Sequence, residues 1–125
     1  LYKPENGDLE NPWQEIPIDS GLNVPHSLVV LDLNQDDLPD MLVGEMTAGG
    51  WNFPMNPNPR IYAYINRGGQ QFDKQIFSEG WGVHEMKLAP NLYQGKMMVY
   101  AADEIQPQKF SAMNTHVSYW LIDKK

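Results

Sequence analysis

Oxygen-bearing side chains crowd the nine-residue stretch DLNQDDLPD, residues 32–40, at Asp32, Asn34, Asp36, Asp37 and Asp40. Carboxylates this close repel one another unless a cation or a hydrogen-bonded turn offsets them. Counting Asp32 as position 1, side-chain oxygens fall at positions 1, 3, 5 and 9, on Asp32, Asn34, Asp36 and Asp40. A tight loop turns alternate side chains toward one centre. Calcium takes six to eight oxygens at about 2.3–2.6 Å, and the backbone carbonyl of Leu38 at position 7 would add another. The other reading is an acidic Asx-type turn that holds no metal.

A second group centres on His26 and His84, 58 residues apart (84 − 26), which open the segments HSLVV and HEMKL. With Glu85 and Glu45 they make an imidazole–carboxylate set suited to a divalent transition metal. The plainer reading has each imidazole bonding neighbouring backbone, with Lys87 paired to Glu85. A third group lies in and after the loop TAGGWNFPMNPNP, residues 47–59. Trp51, Phe53 and Arg60 there suit stacking on a sugar ring and bonding its hydroxyls, and long irregular loops often carry function. Alternatively the loop folds over a sheet edge and hides Trp51. The chain carries no Ser–His–Asp arrangement, phosphate-binding Gly loop or nucleotide fingerprint.

The elements that must position these residues read as strands. Ten Gly and ten Pro are spread along the chain, and no stretch keeps a helical apolar period for three turns. Strands are expected at 13–19, 27–33, 40–46, 60–66, 71–78, 83–89, 96–102 and 116–123. RIYAYIN (60–66) alternates, with Ile61, Ala63 and Ile65 on one face and Tyr62 and Tyr64 on the other. NRGGQQF supplies a Gly-Gly hairpin turn. SLVVL and MLV are continuous apolar runs, the pattern of strands buried on both faces. Trp13, Trp81 and Trp120 are expected to fill the space between sheets.

Bulk properties narrow the class. The 125 residues suit one modest domain with a real core. Sixteen acidic against nine basic residues give a net charge of −7, which disfavours a nucleic-acid partner and an anionic membrane surface. No apolar run approaches the roughly 20 residues of a membrane span. Without cysteine, neither disulfides nor thiolate metal sites are available. The start at Leu1 suggests a processed or truncated product.

An internal repeat sets the expected architecture. IDSGLNVPHSLVVLDL and FSEGWGVHEMKLAP both run strand, acidic residue, Gly, short loop, His, strand. Repeats of about 40–50 residues with four strands each are the mark of propeller blades. The fold expected is all-β: a partial β-propeller of about two four-stranded antiparallel blades, whereas closed propellers typically need 4–8. Residues 1–12 read as an arm, 13–78 as a blade-like repeat with the inserted loop, and 79–125 as a degenerate second repeat. Further blades would come from the same parent chain or from self-association. Aligning His84 with His26 sets PNLYQGKMM (90–98) opposite DLNQDDLPD; Gly95 meets Asp37, and none of the four ligand side chains remains. The turn shape is therefore expected to persist without the acids.

PHSLVVLDLNQDDLPDMLVGE resembles the FG-GAP/VCBS type of propeller repeat, whose Asp-x-Asp-x-Asp-Gly-x-x-Asp loop joins two blade strands. The loop resembles the first half of an EF-hand loop, but position 12 is Val43, not Glu, and the flanks are strands. Asp37 stands where the pattern has Gly, a position with positive φ that Asp tolerates at a cost of about 1 kcal/mol. The resemblance implies Ca2+ bound by Asp32, Asn34, Asp36, Leu38 and Asp40. It implies a secreted, periplasmic or cell-surface protein that binds a carbohydrate or protein partner. It also implies an alternative, part of a carbohydrate lyase or dehydratase with a divalent metal on propeller-channel histidines.

Overall fold

A computed structural model describes residues 2–4, 7–10, 12–47, 56–103 and 116–123. Among the described residues, nine strands run in the order β1 (Tyr2–Pro4), β2 (Trp13–Glu15), β3 (Pro25–Leu31), β4 (Asp40–Glu45), β5 (Arg60–Asn66), β6 (Phe72–Glu79), β7 (Glu85–Leu88), β8 (Met97–Asp103) and β9 (His116–Ile122). They form a β1-β2 pair, a four-stranded sheet β3-β4-β5-β6 and a three-stranded sheet β7-β8-β9. Every pairing is antiparallel between sequence neighbours. Among the described residues the class is all-β, and the sheets do not close into a ring. Part of the expected arm is itself a strand, since Tyr2–Pro4 pairs with Trp13–Glu15. Among the described residues the second sheet has three strands rather than four.

Turn chemistry fixes the hairpins. Between β5 and β6, Gly68, Gly69 and Gln70 all have positive φ, and the turn closes through Arg67 N–H to Gln71 O at 2.9 Å. Between β7 and β8, Gln94 and Gly95 both have positive φ, and Tyr93 and Lys96 exchange two backbone bonds. That is a type I′ hairpin turn. The loop between β3 and β4 is different: Gln35 and Asp37 are its left-handed residues. The expectation that the second loop keeps the first one's turn shape is therefore corrected. Only the positive φ shared by Asp37 and Gly95 persists.

The core lies between the two larger sheets. Val29, Leu31, Leu42, Ile61, Ala63 and Ile65 from the first meet Met86, Val99 and Ala101 from the second, with Val83 between them. A Cβ on Gly44 would lie 2.8 Å from the Val83 Cβ, so only glycine permits this approach. Trp120 packs on this core beside Phe77, their ring centroids 6.0 Å apart. Trp13 and Trp81 do not fill it. Both are exposed, and the Trp81 ring lies against His116, centroids 4.3 Å apart and tilted by 51°.

The two sheets share a register but bury opposite faces. Leu28 pairs with Val43 and Val29 with Leu42 in the first hairpin; 58 residues on, Met86 pairs with Ala101 and Lys87 with Tyr100. Yet Met86 is 4% exposed and its counterpart Leu28 is 57% exposed. Conversely, Val29 and Leu42 are buried while Lys87 and Tyr100 face outward. The sheets therefore stack head to tail, one face of the first on the opposite face of the second. β3 is consequently not buried on both sides, despite its continuous apolar run. In β5, by contrast, Tyr62 and Tyr64 on the second face are buried as well.

Candidate functional site

The acidic loop begins where β3 ends and returns at the start of β4, with Leu31 paired to Asp40. Asp32 organises it. Its Oδ1 accepts the backbone N–H groups of Gln35 at 2.7 Å and Asp36 at 3.1 Å, and its Oδ2 accepts that of Asp37 at 3.0 Å. Asn34 Oδ1 accepts from Asp36 N–H at 3.1 Å, and Asp36 Oδ1 accepts from Leu38 N–H at 2.9 Å. The Asn34 amide also donates to Asp36 Oδ2 at 2.8 Å. Asp37 takes φ +65°, the left-handed conformation the sequence requires at that position.

Asp40 closes the loop from below. It is 0% exposed, and its two oxygens accept backbone N–H groups from Leu33 at 2.8 Å and Asn66 at 2.7 Å. Asn66 donates in turn from its side chain to Pro39 O at 3.1 Å. Asn66, at the end of β5, is a support the loop's spacing did not reveal, because it lies 26 residues along the chain from Asp40. Asp123 ties the two hairpin loops together: Gln35 Nε2 donates to its carbonyl at 2.9 Å and Lys96 pairs with its carboxylate at 2.6 Å. Among the described residues, no Lys, Arg or His is ion-paired with Asp32, Asp36, Asp37 or Asp40.

His26 and His84 do meet, across the seam between β3 and β7. Their rings lie 4.5 Å apart, tilted by 31°, and His26 Nδ1–H donates to the His84 carbonyl at 2.8 Å. Ser27 Oγ accepts the Met86 N–H at 2.8 Å alongside. An open depression of about 490 Å³ follows the seam, lined by both histidines, Leu28, Glu85 and Lys87. Glu85 is paired with Lys87 at 2.7 Å, which holds its carboxyl below the usual range and raises the ammonium.

Glu45 does not join them. It is buried, with Oε1 accepting from Asn23 N–H at 2.7 Å and Oε2 from the Asn56 amide and Arg60 N–H, each at 3.2 Å. It thus holds the ends of the inserted loop, a structural role for a residue first considered as a ligand. Among the described residues, no three His, Cys, Asp or Glu side chains form a group able to hold a metal ion. Trp51 and Phe53 lie outside the described residues. Arg60 opens β5 with its side chain 3.5 Å from Glu79.

One polar cluster escaped the sequence reading. Asp19 accepts from the Tyr64 hydroxyl and from Lys74 Nζ, both at 2.6 Å, and from Gly21 N–H at 2.7 Å. The Lys74 and Tyr64 bonds hold its carboxyl well below the usual carboxylate range, while burial and Asp19 push the Tyr64 hydroxyl up. Lys74 also sits 4.0 Å over the Tyr62 ring. The cluster clamps the chain at Asp19 to the outer face of the first sheet. Partners 45 and 55 residues away from Asp19 left no local signal.

No family model, curated protein or solved structure matches the chain.

Proposed function

We propose that the chain is a calcium-binding β-propeller module that recognises a carbohydrate or protein partner outside the cytoplasm. The observation carrying this reading is the state of the acidic loop. Asp32 gathers three backbone N–H groups, Asp37 holds the left-handed turn, and no cationic side chain among the described residues pairs with any of the loop's carboxylates. Hydrogen bonds from N–H groups shape the turn but leave its net negative charge in place, and a divalent cation offsets that charge.

The donor set fits calcium by chemistry. Asp32, Asn34, Asp36, the Leu38 carbonyl and Asp40 are all hard oxygen donors. Carboxylate oxygens that accept one N–H keep a lone pair for a cation. Three adjustments are required: Asp32, Asp36 and Asp40, which do not form a metal-holding group as they stand, must converge on the ion, the Asn34 amide must turn its oxygen toward it, giving up its bond to Asp36, and water must complete the six to eight ligands. Bound calcium would supply structural stabilisation there rather than catalysis. The head-to-tail stacking of two sheets of equal register supports the propeller reading, since propeller blades meet in this way around their axis.

The test is thermal melting of chelator-treated protein with and without calcium. At a calcium concentration about 100 times Kd, stabilisation of about 2.7 kcal/mol is expected. A melting temperature unmoved by calcium would reject the reading.

A further inference from the structure

Gln35 sits inside the acidic loop and reaches out of it. It donates its backbone N–H to Asp32 Oδ1 at 2.7 Å, and it stands between Asn34 and Asp36, two of the loop's oxygen donors. Its φ is +62°, a conformation that asparagine tolerates better than glutamine does. Asparagine is one methylene shorter, and glutamine uses that extra length: Nε2 donates to the Asp123 carbonyl at 2.9 Å, 88 residues along the chain. Asp123 directly follows β9, an outer strand of the second sheet. Its carboxylate pairs with Lys96 at 2.6 Å, and Lys96 closes the β7–β8 turn by exchanging two backbone bonds with Tyr93. A line of contacts therefore runs from a loop carboxylate of the first sheet to the edge strand and hairpin turn of the second.

We infer that Gln35 is a positioning residue that couples ion binding in the loop to the order of the β9 end. The inference rests on the calcium reading of the loop. A carboxylate oxygen that accepts one N–H keeps a lone pair, so Asp32 can hold the ion and the Gln35 backbone together. An ion held by Asp32 and Asp36 restrains the backbone between them. That lowers the entropy lost when the Gln35 side chain holds Asp123. The coupling is reciprocal: the factor by which the ion strengthens the Gln35–Asp123 contact is the factor by which that contact strengthens ion binding. One neutral hydrogen bond sets the scale at about 2- to 10-fold. Calcium thus acts on both sheets, although its donors all lie in a loop of the first.

Amide exchange of the intact chain, read by NMR with calorimetry alongside, tests it. In chelator-treated protein, added calcium should slow exchange at residues 121–123 more than at 117–119, the opposite end of β9. Comparing two ends of one strand removes the effect of overall stabilisation. Gln35→Asn suits the backbone conformation but falls short of Asp123. It should lose that difference and bind calcium about 2- to 10-fold more weakly. Gln35→Met, close in length but without a donor, should behave in the same way. Calcium that binds yet slows both ends of β9 equally would overturn the inference and leave the calcium reading standing. So would a Gln35→Asn variant that keeps both the difference and the affinity. An intact chain that gives no calorimetric binding would reject the two together.

Discussion

Asp37 donates its backbone N–H to Asp32 Oδ2 at 3.0 Å while holding φ at +65°. The bond closes the tightest part of the acidic loop, and it forces a side-chain-bearing residue into the left-handed region that favours glycine. Asp37→Gly keeps the N–H and removes the strain. Stability should rise by about 1 kcal/mol, read as a higher midpoint in urea unfolding with an unchanged slope.

Asp40→Asn tests the loop's buried anchor. The amide keeps one acceptor but presents an NH2 group to a second backbone N–H, from either Leu33 or Asn66. Leaving a buried donor without a partner costs about 1–3 kcal/mol. The measurement is the same urea midpoint in chelator, so that no cation enters the comparison.

Legibility in the sequence followed range. Alternation in RIYAYIN and the Gly-Gly pair located β5, its turn and β6, because the signals are local. The left-handed Asp37 was equally legible from its place in the loop pattern. What was hidden depends on partners far along the chain. Nothing in SLVVL tells Leu28 from Val29, yet one faces solvent and the other the core, because only the stacking of the second sheet chooses the face. Asp19 reads as an ordinary acid and Glu45 as a candidate metal ligand until Tyr64 and Lys74, and Asn23 and Asn56, arrive beside them. PNLYQGKMM also misled: its turn is closed by the Tyr93–Lys96 bonds, so it does not reproduce the acidic loop's shape without acids.

The Asp19 cluster sets a pH dependence. A carboxyl held below its unfolded value, near 3.9, contributes stability above that pH and loses it as pH falls toward the folded value. Tyr64, raised in the folded state, contributes below its unfolded value near 10 and loses that contribution as pH rises beyond it. Tyr64→Phe should cost about 1 kcal/mol at pH 7. Asp19→Asn should flatten the fall in stability below pH 4, followed by circular dichroism across an acid titration.

Gly44→Ala tests the close seam between the sheets. The new methyl meets Val83 at 2.8 Å, and overpacking of this kind costs about 1–3 kcal/mol. The cost of Gly44→Ala should be smaller when Val83 is replaced by Gly, since removing the Val83 Cβ clears the 2.8 Å contact. Urea unfolding of the four proteins in the cycle gives the coupling directly.

Calorimetric titration of calcium into chelator-treated protein is the most direct test of the loop's assignment. The account predicts one saturable site per chain, abolished by Asp32→Ala and by Asp36→Ala and retained in Asp37→Gly. No binding to the intact chain at millimolar calcium would contradict it, as would binding that survives both alanine substitutions.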